Sequence, residues 1–235
     1  MYKLEKMSIM FRSSLPLIVE LSKNDPELAQ ASQDGGADGV LLQILTQKQN
    51  YTVSPLEDES ENIRSIIERV SIKKGILLGD VRSINREELD QIKGFKFDFI
   101  AVYPATAPIF LLEAGTPLFV TVQPGLPIDY YRALSHMPSV EGFIYGPSTA
   151  NRLEVSLNLV DLAVLELLTT SLSKPVYFRS PNELKADELL LLIKRGASGI
   201  IIDPFSIGAI EPSDIKETVS LYKKIIDESG YRIWM

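Results

Sequence analysis

Three carboxylates and one guanidinium stand in this 235-residue chain where charge is expensive. Glu20, Asp80, Arg179 and Asp203 each lie at or near the end of a short, otherwise apolar run, and an unpaired charge buried on such a run would be costly. Arg179 is the natural partner for the carboxylates. Two outcomes follow from the same four side chains. Arg179 with Glu20 or Asp203 can form an ion pair that only stabilises. Alternatively, Arg179 binds an anionic group while a carboxylate crowded by another has its pKa raised toward general acid or base use. On this second reading Asp80 is the first choice for moving a proton, followed by Glu20 and Asp203.

The elements that must carry these residues are legible as alternation. Eight β-branched or aromatic runs, at Leu15–Leu21, Gly39–Leu45, Gly75–Asp80, Phe97–Tyr103, Leu118–Gln123, Gly142–Tyr145, Val176–Arg179 and Gly199–Asp203, are separated by helical patterns. A spacing of about 20 to 35 residues suits a strand, a helix and two short loops. Eight such units predict a single α/β domain over 1–235, a closed (β/α)8 barrel, with 1–14 as an N-terminal extension. An open doubly wound sheet is disfavoured because the first run continues as Leu21-Ser22-Lys23-Asn24-Asp25-Pro26, without G-x-G-x-x-G.

Helix punctuation agrees. Asn24 or Asp25 can cap the first helix, Asn85 and Glu88 have capping-box spacing, and Ser213 offers a cap for the last helix. Gly36, Gly94, Gly115 and Gly196 fall where helices would end in a left-handed conformation. The segments 35–41 and 195–201 echo one another as helix-to-strand corners.

In a parallel barrel alternate residues face the interior, and active sites lie at the C-terminal rim. Alternation puts Ile18, Glu20 and Ser22 inside and Ile76, Leu78 and Asp80 on one face; it also groups Phe119, Thr121 and Gln123, Tyr177 with Arg179, and Ile201 with Asp203. Gln43, Tyr103 and Tyr145 complete one polar or amphipathic residue near the end of each run. Arg179, Lys23, Gln43, Gln123, Tyr145 and Ser180 are therefore candidate substrate contacts. Two long rim loops, from Thr46 to about Glu57 and from Gly146 to about Asn158, are of a length that suits lids or anion clamps.

Other chemistries fall away. The absence of cysteine excludes disulfides, thiolate metal sites and cysteine nucleophiles, and the single histidine, His136, precedes the sixth run on the wrong rim. No lysine ends the sixth run, so a Schiff base there is not supported. No dedicated cofactor is implied, although Glu20, Asp80 and Asp203 could offer oxygen ligands to Mg2+. A net charge of −7 gives no basic footprint for nucleic acid. The N-terminal residues lack a signal-like apolar region and no run is long enough to span a bilayer, so a cytoplasmic protein is expected. Oligomeric state is not readable.

The segment 195–208, ending Ile202-Asp203-Pro204-Phe205-Ser206-Ile207-Gly208, resembles the last αβ unit of the phosphate-binding TIM barrels, the superfamily of ribulose-phosphate-binding and tryptophan-pathway enzymes. That resemblance covers mainly the last quarter of the chain. It implies that Ser206, Ile207 and Gly208 form half of a phosphate site. The seventh run departs from the pattern, continuing Arg179-Ser180-Pro181-Asn182-Glu183 without the glycine pair usual there. The expectation is a lyase or isomerase acting on a small anionic, phosphorylated metabolite. The rival is a non-catalytic, degenerate barrel that binds a metabolite or a protein partner, and a tight Arg179–carboxylate pair filling the mouth would favour it.

Overall fold

The eight short runs are met by eight parallel strands, largely buried on both faces, that close on themselves. The computed structural model describes residues 11, 15–48, 51–52, 54–79, 81–147, 157–204, 208 and 211–228. The barrel strands are β1 (Leu17–Glu20), β2 (Gly39–Ile44), β5 (Lys73–Leu78), β6 (Phe99–Val102), β7 (Leu118–Val122), β8 (Val140–Tyr145), β9 (Val176–Ser180) and β10 (Gly199–Ile202). They pair in the order β1-β10-β9-β8-β7-β6-β5-β2, with β2 returning to β1. The first long rim loop is not irregular throughout, since it contains an antiparallel pair, β3 (Gln47–Lys48) and β4 (Tyr51–Thr52).

Seven α-helices wrap the barrel among the described residues: α1 (Pro26–Asp34), α2 (Leu56–Arg69), α3 (Arg86–Gly94), α4 (Ile128–Ser135), α5 (Leu159–Ser171), α6 (Ala186–Lys194) and α7 (Pro212–Glu228). The β6–β7 crossover carries a 3-10 helix, Ile109–Glu113, in place of an α-helix. Asp25 caps α1, and Asn85 with Glu88 makes both arms of the capping box on α3, a device worth about 1 kcal/mol. Ser213 lies inside α7 rather than before it, because Pro212 already occupies the first helical position. Gly36, Gly115 and Gly196 take positive φ, whereas Gly94 ends its helix normally and Lys96 takes the left-handed turn instead.

Glycine opposite aromatic rings fills the lower barrel. A Cβ on Gly75 would fall 2.2 Å from the Phe99 ring, one on Gly142 2.5 Å from Phe119, and one on Gly199 2.5 Å from Tyr177. Phe119 packs 5.0 Å from Phe99 and 5.2 Å from Tyr177, centroid to centroid. Phe11, within the segment expected to be an extension, closes the bottom against Phe99 and Tyr177 and is buried. The lower half is thus a dry plug, and the open volume of the barrel must lie above it.

Candidate active site

Strand registers and the tilt that closes a barrel stack the interior in layers, each drawing on alternate strands. Above the aromatic plug, Leu41, Ala101, Ile144 and Ile201 form an aliphatic layer. The next consists of Glu20, Leu77, Thr121 and Arg179. The one above, at the C-terminal mouth, consists of Gln43, Tyr103, Gly146 and Asp203. The sequence therefore switches from apolar to polar at one level of the barrel, on strands far apart in the chain.

Glu20, fully buried, meets Arg179 with Oε2 2.7 Å from Nε, an ion pair lying off the N–H axis. Burial works against the Arg179 charge, but the field of Glu20, Tyr103 and Asp203 and a hydrogen bond with Tyr103 outweigh it, holding the guanidinium more firmly protonated than usual. Arg179 Nη2 is nevertheless buried without a hydrogen-bond acceptor among the described residues. Thr121 Oγ1 and Gln43 Oε1 are likewise buried without partners there. Native interiors seldom leave such groups unpaired unless a ligand or ordered water completes them.

The backbone around this chamber is tied. Asn24 clamps β2 reciprocally, accepting from Gln43 N at 3.0 Å and donating to Gln43 O at 2.6 Å. The Gln43 amide donates to Leu21 O, which fixes its carbonyl end over the interior. Asn24 thus serves the strand, and capping falls to Asp25.

Several expected contacts lie elsewhere. Tyr145 faces the helix layer, its ring 5.7 Å from Phe178, because alternation through Ile144 sends it outward. The inward residue at that level is Gly146, whose position right after the tyrosine was the available signal. Ser180 also has helix-side parity, and its hydroxyl donates to Asn182 O. Lys23 is largely exposed and turns to the cap residue Asp25 at 3.2 Å instead of reaching over the mouth. Gln123 lies at the mouth end of β7 and accepts from Ala105 N at 3.3 Å, joining two rim loops.

The face shared by Ile76 and Leu78 packs against the helices, and Leu77 points inward, so the expected parity of the third barrel strand is reversed. Asp80 and Ser206 lie outside the described residues, as do 148–156 of the second rim loop. Gly208 is exposed with φ +75. Among the described residues no three His, Asp or Glu side chains converge as a metal site, and Arg179 occupies the neighbourhood of Glu20 and Asp203 where a cation would sit. No helix among them is long and apolar enough to cross a membrane.

This layered barrel has solved counterparts. Thiamine phosphate pyrophosphorylase from Pyrococcus furiosus superposes with a TM-score of 0.66 at 16% identity, covering 92% of this chain and 98% of its own. A single-site variant of the tryptophan synthase α-subunit from the same organism gives 0.68 at 12% identity, covering 91% and 99%. The chain has the TIM-barrel fold. No family model matches it, and no curated sequence does. At these identities the likeness establishes architecture, and the chemistry of the mouth has to be argued from its own residues.

Proposed function

We propose that the chain is an enzyme of lyase or isomerase type that binds a small phosphorylated metabolite in the barrel mouth and moves a proton on it. The observation that carries this reading is Arg179 Nη2, a buried cationic donor with no acceptor among the described residues, in the field of Glu20 and Asp203. An oxygen of the substrate would complete it. Arg179 would then stabilise negative charge developing on that oxygen, and Glu20 or Asp203 would take or return the proton. The two named structural neighbours are enzymes, one of them named for a phosphate compound, which supports the reading by analogy of fold.

The rival reading has its own support. A 2.7 Å Glu20–Arg179 pair is what a purely stabilising contact would look like, and a degenerate barrel would keep it. Against that stand Arg179 Nη2, Thr121 Oγ1 and Gln43 Oε1, in adjoining layers and without hydrogen-bond partners among the described residues, since a closed structural pair has no need of spare donors and acceptors.

A thermal-shift panel of inorganic phosphate and small phosphosugars tests the proposal. A true ligand at a hundred times its Kd adds about 2.7 kcal/mol to stability. NMR should then detect exchange of a carbon-bound hydrogen of the stabilising compound with solvent deuterium. Glu20→Gln or Asp203→Asn should stop that exchange while binding persists. If no phosphorylated compound stabilises the protein, the enzyme reading falls and the degenerate barrel stands.

A further inference from the structure

A cleft of about 300 Å3 opens between the C-terminal ends of β7 and β8 and the helices α4 and α5. Its walls include Val122, Leu126, Ile128, Val164, Leu167 and Leu168, so the surface on offer is hydrocarbon. The phenol in its floor is already engaged: Tyr131 Oη accepts from Gln123 N at 2.7 Å and donates to Gln123 O at 3.2 Å. The volume is at the lower end of what small-molecule sites occupy, and apolar walls are their usual lining.

The cleft is not isolated from the mouth. Gly146 lines it and is also the inward-facing residue of the uppermost layer, and a Cβ there would stand 3.3 Å from Arg179 Cδ. Gln123, at the mouth end of β7, lines it too. With no side chain of its own, Gly146 leaves only its backbone between the cleft and the aliphatic stem of Arg179. A residue shared at the rim puts the cleft beside the place where Arg179 would hold an anion, within reach of the same small molecule.

We propose that the α4–α5 cleft is the subsite for the apolar chain of an amphiphilic substrate whose phosphoryl head lies at the mouth. The inference rests on the reading of the mouth as an anion site, and names the substrate class of that site as an alkyl or alkenyl phosphate.

Isothermal titration with inorganic phosphate and straight-chain alkyl phosphates from methyl to octyl separates the two readings. Affinity should climb about fourfold per methylene, the fold-change equivalent to ~0.8 kcal/mol, until the cleft is full. Val164→Trp, which fills the cleft, should flatten that climb and leave methyl phosphate binding intact. Leu167→Glu, at the half-exposed lip, should do the same if the tryptophan variant fails to fold. Binding of methyl phosphate with no dependence on chain length would overturn the cleft proposal and spare the mouth. Equal chain-length dependence for uncharged alcohols, with no binding of methyl phosphate, would overturn both. Concentration-dependent dimerisation in sedimentation that Leu167→Glu abolishes, with alkyl phosphate affinity unchanged, would assign the cleft to a second copy of the chain and overturn the proposal.

Discussion

Arg179 on β9 and Glu20 on β1 meet across the intervening β10, with Nε 2.7 Å from Oε2. Because Glu20 is fully buried, each charge depends strongly on the other. Arg179→Ala should cost about 3–5 kcal/mol in urea unfolding, much of it the penalty for a stranded carboxylate. Glu20→Leu combined with Arg179→Met should recover most of that loss. Additive losses in the double-mutant cycle would mean that the two side chains contribute independently.

The lower barrel makes a second prediction about packing. Gly199 leaves room for the Tyr177 ring, and a methyl there would sit 2.5 Å from it with backbone close behind, at Pro16 O, 3.1 Å. Gly199→Ala should therefore destabilise by about 1–3 kcal/mol through overpacking. Shrinking the ring in the Tyr177→Leu background should reduce the penalty. An alanine tolerated without cost would contradict the tight fit.

The contrast between these two regions explains what was legible in the sequence. All eight strands and the closed topology follow from alternation, and Glu20, Arg179 and Asp203 were recognisable because a charge on an apolar run is rare. The corners at 35–41 and 195–201 echo one another for a local reason: Asp38 N and Ser198 N each donate to the preceding strand's carbonyl at 2.8 Å, after a left-handed glycine. Two things were not legible. Parity is not fixed by a run that is apolar on both faces, as in β5, where Ile76 and Leu78 pack against the helices and Leu77 points inward. Tyr145 has the side chain with chemistry to offer, while Gly146, which has none, occupies the inward position; a missing side chain becomes visible only once its neighbours are placed.

Alkaline pH should expose the α6–α7 junction. Tyr222 is buried on α7 and its hydroxyl accepts from Leu184 N at 2.5 Å, while burial pushes its pKa up to about 12. The raised value favours the neutral phenol in the folded state, so its stabilisation is complete below about pH 10 and is lost as pH rises through 12. Tyr222→Phe strands the Leu184 amide and should cost about 1–3 kcal/mol at neutral pH. The gap between wild type and variant should narrow above pH 10 in denaturant titrations. A gap independent of pH would remove the phenol from the account.

Thr121 gives the sharpest separation between a site and a scaffold. Its Oγ1 is buried without a partner among the described residues, in the same layer as Arg179, so as a structural element it is a liability. Thr121→Val keeps the shape and deletes the orphan hydroxyl. Unliganded stability should therefore stay level or rise by about 1 kcal/mol, since a buried hydroxyl with nothing to bond is better replaced by a methyl. Ligand affinity should move the other way, falling several-fold for whichever phosphorylated compound stabilises the wild type, because the hydroxyl has its partner only in the complex. A hydroxyl held only by ordered water would leave affinity untouched, and one serving stability through an unseen bond would make the valine variant weaker in both measurements.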